Sequence, residues 1–151
     1  MTGRTMKPIT VEARLPAPPD EVFAFIADTR NDPQWCSNVE TVEVIAGGAI
    51  TPGTAFRFHQ HFDRPGGRRM QFDVDVTIES TEGRSITWVA DDRFQLRRIT
   101  IAVEPAGEDS KVTQTTVATF KSPPGPARWM YPLLAKRTFK RQFAALAARY
   151  R

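Results

Sequence analysis

One cysteine, Cys36, stands among 151 residues, so no internal disulfide can form and the chain suits a reducing compartment. No apolar run approaches the ~20 residues of a bilayer-spanning helix, which argues against stable membrane insertion. Met1 to Lys7 holds no apolar stretch of the kind found in a secretory signal, and a cytoplasmic location is expected. There is no G-x-S-x-G, no P-loop, no dinucleotide-binding glycine turn and no ladder of Cys and His. No cofactor and no metal are therefore expected. The most uneven absence is of acid. After Asp109 there is no Asp or Glu, while nine Lys and Arg fall there; the preceding stretch carries 12 basic against 17 acidic groups. A basic tail of this kind is either an anion-facing surface or a solvated helix face with cations near a helix C-terminus. The second reading is preferred. It leaves no nucleic-acid partner and at most a weak anionic one at the basic helix.

What is present is apolar pattern. Hydrophobic residues make up 40% of the chain and include ten Phe and three Trp, enough to line a cavity within one domain spanning 1–151. In the last stretch, Pro126 to Tyr150, Ala135, Phe139, Phe143, Leu146, Ala147 and Tyr150 recur at helical spacing, with Arg137, Lys140 and Arg141 opposite. Pro132 either kinks this helix or marks its true start. Ser122 to Pro126 reads as a rigid connector.

Most of the remainder alternates with period two, the mark of half-buried strands. Strands are read over Lys7–Leu15, Ser37–Ile45, Thr54–Asp63, Arg68–Ser80, Ser85–Ala90, Phe94–Val103 and Lys111–Phe120. Pro19-Asp20-Glu21 opens a helix carrying Val22, Phe23, Phe25 and Ile26, and Asn31-Asp32-Pro33 starts a short helical turn holding Trp35 and Cys36.

Parity fixes one register. The apolar faces of the third and fourth strands are both even-numbered, so opposed residue numbers sum to an even value. A three-residue loop then sets Phe62 against Met70, Phe58 against Val74 and Phe56 against Val76. On the other face His59 meets Asp73 and Arg57 meets Asp75. The same logic fits a bulged loop at Thr81-Glu82-Gly83. The sixth strand is inconsistent: Phe94 and Leu96 are even, whereas Ile99, Ile101 and Val103 are odd. A bulge near Arg97-Arg98 reconciles them, and two apolar faces at one end do so equally well.

Pro19-Asp20-Glu21-Val22-Phe23-Ala24-Phe25-Ile26-Ala27-Asp28, followed by Asn31-Asp32-Pro33-Gln34-Trp35 and later by Pro52-Gly53-Thr54, resembles the START-like (SRPBCC) superfamily. That group includes polyketide cyclase/dehydrase-like proteins, Bet v 1-type proteins and lipid-transfer domains. The resemblance covers nearly the whole chain. It implies an α+β helix-grip fold, a seven-stranded curved antiparallel sheet around a long C-terminal helix, in the order strand, two helices, six strands, helix. It also implies a cavity between them, but not a ligand or a reaction.

Candidate cavity-lining residues follow from the inward positions: Trp35, Phe56, Phe58, Gln60, Phe72, Val74, Trp88, Phe94, Leu96, Arg98, Gln114, Thr116, Phe139 and Phe143. Gln60 interrupts a Phe stripe and needs a partner, whether a ligand oxygen, a water or nearby backbone. Gln114 and Thr116 share parity with Val112 and Phe120; they either meet an oxygenated ligand or lie at a wet end of the sheet. Arg98 shares parity with Phe94 and Leu96; if inward it would need an anionic partner such as a ligand carboxylate or enolate, and if the strand bulges, the preferred reading, it is exposed. Trp129 is read as core or cavity rim. His59 and His61 share a strand face, but a metal needs a third converging ligand, and Asp73 already accounts for His59. Cys36 reads as packing.

Two functions fit. One is binding of a hydrophobic, partly oxygenated small molecule, polyketide-, lipid- or isoprenoid-like, by a monomer or homodimer. The other is an aromatase/cyclase acting in the same cavity. No catalytic residue is identified, because no acid or base faces inward on pattern alone.

Overall fold

The structure is a computed structural model that describes residues 5–64, 66–121 and 130–151, without the side chain of Arg64. The expected connector at Ser122–Pro126, the helix start at Pro126, and Trp129 lie outside the described residues. Seven strands form one antiparallel sheet: β1 (Ile9–Leu15), β2 (Val39–Ala46), β3 (Ala55–Arg64), β4 (Arg68–Glu82), β5 (Ser85–Asp91), β6 (Gln95–Ala106) and β7 (Asp109–Phe120). Their order in the sheet is β1-β7-β6-β5-β4-β3-β2. Hairpins make every link except that from β1 to β2. That crossing is carried by helix α1 (Pro19–Ala27) and a short 3-10 helix (Thr29–Gln34), and helix α2 (Tyr131–Arg149) closes the chain.

The Phe-rich hairpin has the expected register, with Phe62↔Met70, Phe58↔Val74 and Phe56↔Val76. Phe56, Phe58, Gln60, Val74, Val76 and Ile78 are buried on the inner face. On the outer face Arg57 Nε donates to Asp75 Oδ1 at 3.0 Å. The imidazole of His59 lies between two carboxylates, 2.7 Å from Asp73 Oδ1 and 2.7 Å from Glu43 Oε2. These bonds, with Glu43 the stronger, raise the His59 pKa above its ordinary 6.5. The resulting stability is fully present below about pH 6.5 and is lost as pH rises through the higher folded value. Thermal unfolding followed by circular dichroism is expected to show the midpoint falling above neutrality. In His59→Gln that fall should be flattened; an unchanged slope would remove His59 as its source.

The next hairpin departs from expectation. Its turn has two residues, Gly83-Arg84, between paired Glu82 and Ser85, and Gly83 takes φ +57°. A two-residue turn makes opposed numbers sum to an odd value, which would put Ile78 and Trp88 on opposite faces. A bulge between Ile78 and Ser80 restores the parity, so Ile78 faces Trp88 and both are buried.

In β6 there is no bulge near Arg97-Arg98; pairing with β5 and β7 runs unbroken. The odd residues Ile99, Ile101 and Val103 are the inward set. Phe94 precedes the strand, in a turn where Asp92 Oδ1 accepts from the backbone N–H of Phe94 (2.7 Å) and of Gln95 (2.9 Å). The strand thus has two apolar faces at one end, and Leu96 and Arg98 lie on the outer one.

Helix α2 carries its apolar stripe against the sheet. Ala135, Phe143, Leu146 and Ala147 are buried, whereas Arg137, Lys140 and Arg141 are exposed. Pro132 marks the start of the helix, in its first turn, where a missing N–H costs no hydrogen bond.

Candidate functional site

Between the sheet, the 3-10 helix and α2 lies a cavity of about 590 Å³, within the range of small-molecule sites. Each element delivers specific side chains. The 3-10 helix is anchored by Asp28, whose carboxylate accepts from the Arg30 backbone N–H (3.2 Å) and side chain (2.8 and 2.7 Å). Asn31 Nδ2 donates to Phe25 O at 3.0 Å. This anchoring sets Asp32, Trp35 and Cys36 on the cavity wall. Phe62, Phe72 and Phe94 form an edge-to-face trio with centroids 5.6–6.1 Å apart. Phe62, Leu134 and Thr138 line the cavity and are also exposed, so it opens between β3 and the early turns of α2.

Eight of the residues expected on the wall are there: Trp35, Phe58, Gln60 and Phe72, with Trp88, Phe94, Gln114 and Phe139. Phe56, Val74, Thr116 and Phe143 are buried but stand outside the lining. Thr116 Oγ1 accepts a long hydrogen bond from Gln114 Nε2 (3.5 Å), and Phe143 packs on Trp35 with centroids 5.8 Å apart. Two expectations are corrected. Leu96 is 42% exposed, on the outer face. Arg98 is also outside, donating to both oxygens of Glu79 at 2.9 and 2.8 Å. With no bulge in β6, their even parity carries them away from the cavity.

Sequence reasoning missed Asp32, Asp92, Gln95, Arg97 and Tyr131, all on the lining. Arg97 had a legible signal, because it shares odd parity with Ile99 and Ile101. Asp32, in an irregular turn, and Tyr131, at a helix start, had none. The Asp32 carboxyl forms no ion pair among the described residues. Burial raises its pKa well above the ordinary 3.8; the indole of Trp35 opposes this and the charge of Asp28 adds to it. Burial likewise raises the Cys36 thiol, with Asp32 contributing, which makes it a packed rather than a reactive cysteine. Tyr131 donates its hydroxyl to Gln95 Oε1 at 3.1 Å, and burial raises its pKa.

Several donors on this wall have no partner among the described residues. Among the described residues buried Thr29 Oγ1, Trp88 Nε1 and Arg97 Nε lack a hydrogen bond, and all three residues line the cavity, whereas the Trp35 indole faces the Asp32 carboxyl. The Gln60 amide makes no side-chain bond to any described residue. His59 and His61 lie on the other side of the sheet and are held by carboxylates; His61 Nδ1 is 3.0 Å from Glu40 Oε1. Among the described residues no group of three or more His, Cys, Asp or Glu is arranged to hold a metal.

The profile of the polyketide cyclase / dehydrase and lipid transport family matches residues 6–151. The chain belongs to that family. No curated protein matches the sequence. Solved structures do match in shape. A START superfamily protein from Mycobacterium smegmatis superposes with a TM-score of 0.78 at 16% identity, covering 95% of this chain and 96% of that one. The ZhuI aromatase/cyclase from a Streptomyces species gives 0.75 at 14% identity over 97% and 94%. The major latex-like protein from Panax ginseng gives 0.70 at 14% identity over 98% and 99%. At such identities the likeness shows the helix-grip fold and not the ligand. Among the described residues no helix is long and apolar enough to cross a membrane.

Proposed function

We propose that this member of the polyketide cyclase / dehydrase and lipid transport family binds a hydrophobic, partly oxygenated small molecule between its sheet and α2. The observation that carries the reading is the coincidence of a largely apolar cavity with unpartnered donors on its wall. Burial of apolar ligand surface, at about 25 cal/mol per Å², supplies the affinity. Ligand oxygens fix the orientation by meeting donors that otherwise remain unsatisfied. Native mass spectrometry of protein purified from its own host is expected to show a copurifying apolar molecule bearing oxygen. Persistent absence of any bound mass, together with failure to take up apolar dyes, would overturn the proposal.

Gln60→Leu tests the polar part. Among the described residues its amide has no partner, so the substitution is expected to leave stability unchanged or raise it by up to about 1 kcal/mol. Retention of the copurified molecule should fall. A clear loss of stability in urea denaturation would mean that the amide serves the fold instead.

One observation favours a second reading, an enzyme of the aromatase/cyclase kind. Asp32 is a cavity-facing carboxyl whose pKa is moved toward the operating range of a general acid or base. If the protein closes a polyketide thioester, Asp32→Asn is expected to abolish turnover while binding persists. Full turnover by that variant would remove Asp32 from the chemistry.

A further inference from the structure

Arg97 is a largely buried cation that makes no hydrogen bond among the described residues. It projects inward from the middle of the sheet, its side chain is only 15% exposed, and it lines the cavity. A guanidinium carries five N–H donors and stays charged at any physiological pH. Among the described residues none of these donors makes a hydrogen bond. Among the described residues its one ion-pair partner is Asp92, whose Oδ2 lies 3.7 Å from Nη2, beyond hydrogen-bond reach. Asp92 is itself committed, because its other oxygen caps the turn through Phe94 and Gln95. Burying a guanidinium this way is costly unless something completes its bonding. Beside it stand the Tyr131 hydroxyl and the Gln95 amide, 3.1 Å apart and already bonded to each other. Neither supplies a negative charge.

We infer that Arg97 is the head-group site of the cavity and that the ligand is an amphipathic anion, an apolar body ending in an oxyanion such as a carboxylate or enolate. Resting on the cavity reading above, this adds the sign and the place of the ligand's polar end. The planar fork of Arg97 is suited to two oxygens on one centre, and Asp92 holds the guanidinium in place behind it. The Phe62, Phe72 and Phe94 trio, at the same end of the cavity as the Asp92 turn, would enclose the adjoining apolar body. A neutral ligand oxygen would accept from the guanidinium but would bring no counter-charge.

Two dyes of one skeleton test the inference: anilinonaphthalene sulfonate, an anion, and phenylnaphthylamine, its uncharged parent. Binding is read by fluorescence titration of the full chain. Wild type should bind both. Arg97→Gln should weaken the sulfonate by at least about tenfold and the parent by less than about twofold, as expected for a lost charge-assisted bond. Arg98→Gln, on the outer face, should change neither. Equal weakening of both dyes by Arg97→Gln, or none, overturns the inference. Should wild type bind only the parent, the anionic head group falls and the cavity reading stands; should it bind neither, the cavity reading falls as well. A second measurement needs no variant. In wild type the Arg97 Nε proton resonance should move on saturation with the sulfonate and not with the parent, and a resonance unmoved by the sulfonate would equally overturn the proposal.

Discussion

Phe143→Ala is expected to destabilise the protein by about 3–5 kcal/mol, read as a fall in the urea midpoint at constant slope. Phe143 is 2% exposed and packs on Trp35, so it ties α2 to the wall that carries the 3-10 helix. Truncation removes a buried ring and leaves a void beside an existing cavity, which relaxation cannot fill. Phe139→Ala, one turn earlier, supplies the contrast. Phe139 is half-buried and already faces open space, so it has fewer contacts to lose. Its substitution should cost less than half as much and should enlarge the cavity, admitting bulkier dyes. Equal costs at the two positions would mean that the space beneath α2 is closed by side-chain motion in solution.

The contrast shows why some features could be read from sequence and others could not. Period-two alternation and the sum rule for opposed strands were enough to register β3 on β4, because every residue there takes a regular place. The rule fails where a residue is inserted. The bulge between Ile78 and Ser80 leaves no local signature, and only its effect, Trp88 facing Ile78, is visible. In β6 the ambiguity arose from Phe94, which lies inward only because Asp92 bends the turn before the strand begins. Taking Phe94 as a strand residue moved the inward arginine from position 97 to 98. The apolar wall was legible because burial selects apolar side chains at regular intervals. The polar end was not, since Asp32, Asp92 and Tyr131 sit on a 3-10 helix, a turn and a helix start, none of which has a period to read.

Asp92→Ala is the second substitution expected to have a large effect, about 3–5 kcal/mol of lost stability. The side chain is 1% exposed and does two jobs. It accepts from the backbone N–H groups of Phe94 and Gln95, and among the described residues it is the one ion-pair partner of Arg97. Asp92→Asn separates them, since an amide oxygen keeps the turn capped while the charge is gone; it should cost less than Ala. The double variant Asp92→Ala, Arg97→Met decides how much of the loss is electrostatic. If the buried guanidinium dominates, removing it should return part of the stability, and the two changes should couple by at least about 1 kcal/mol. If the cap dominates, the costs should simply add. Coupling is the expected result, because an orphaned buried charge is penalised more than two orphaned N–H groups at the end of a strand. It would also explain why this cavity tolerates an arginine at all: the turn residue that shapes the wall keeps the cation in place.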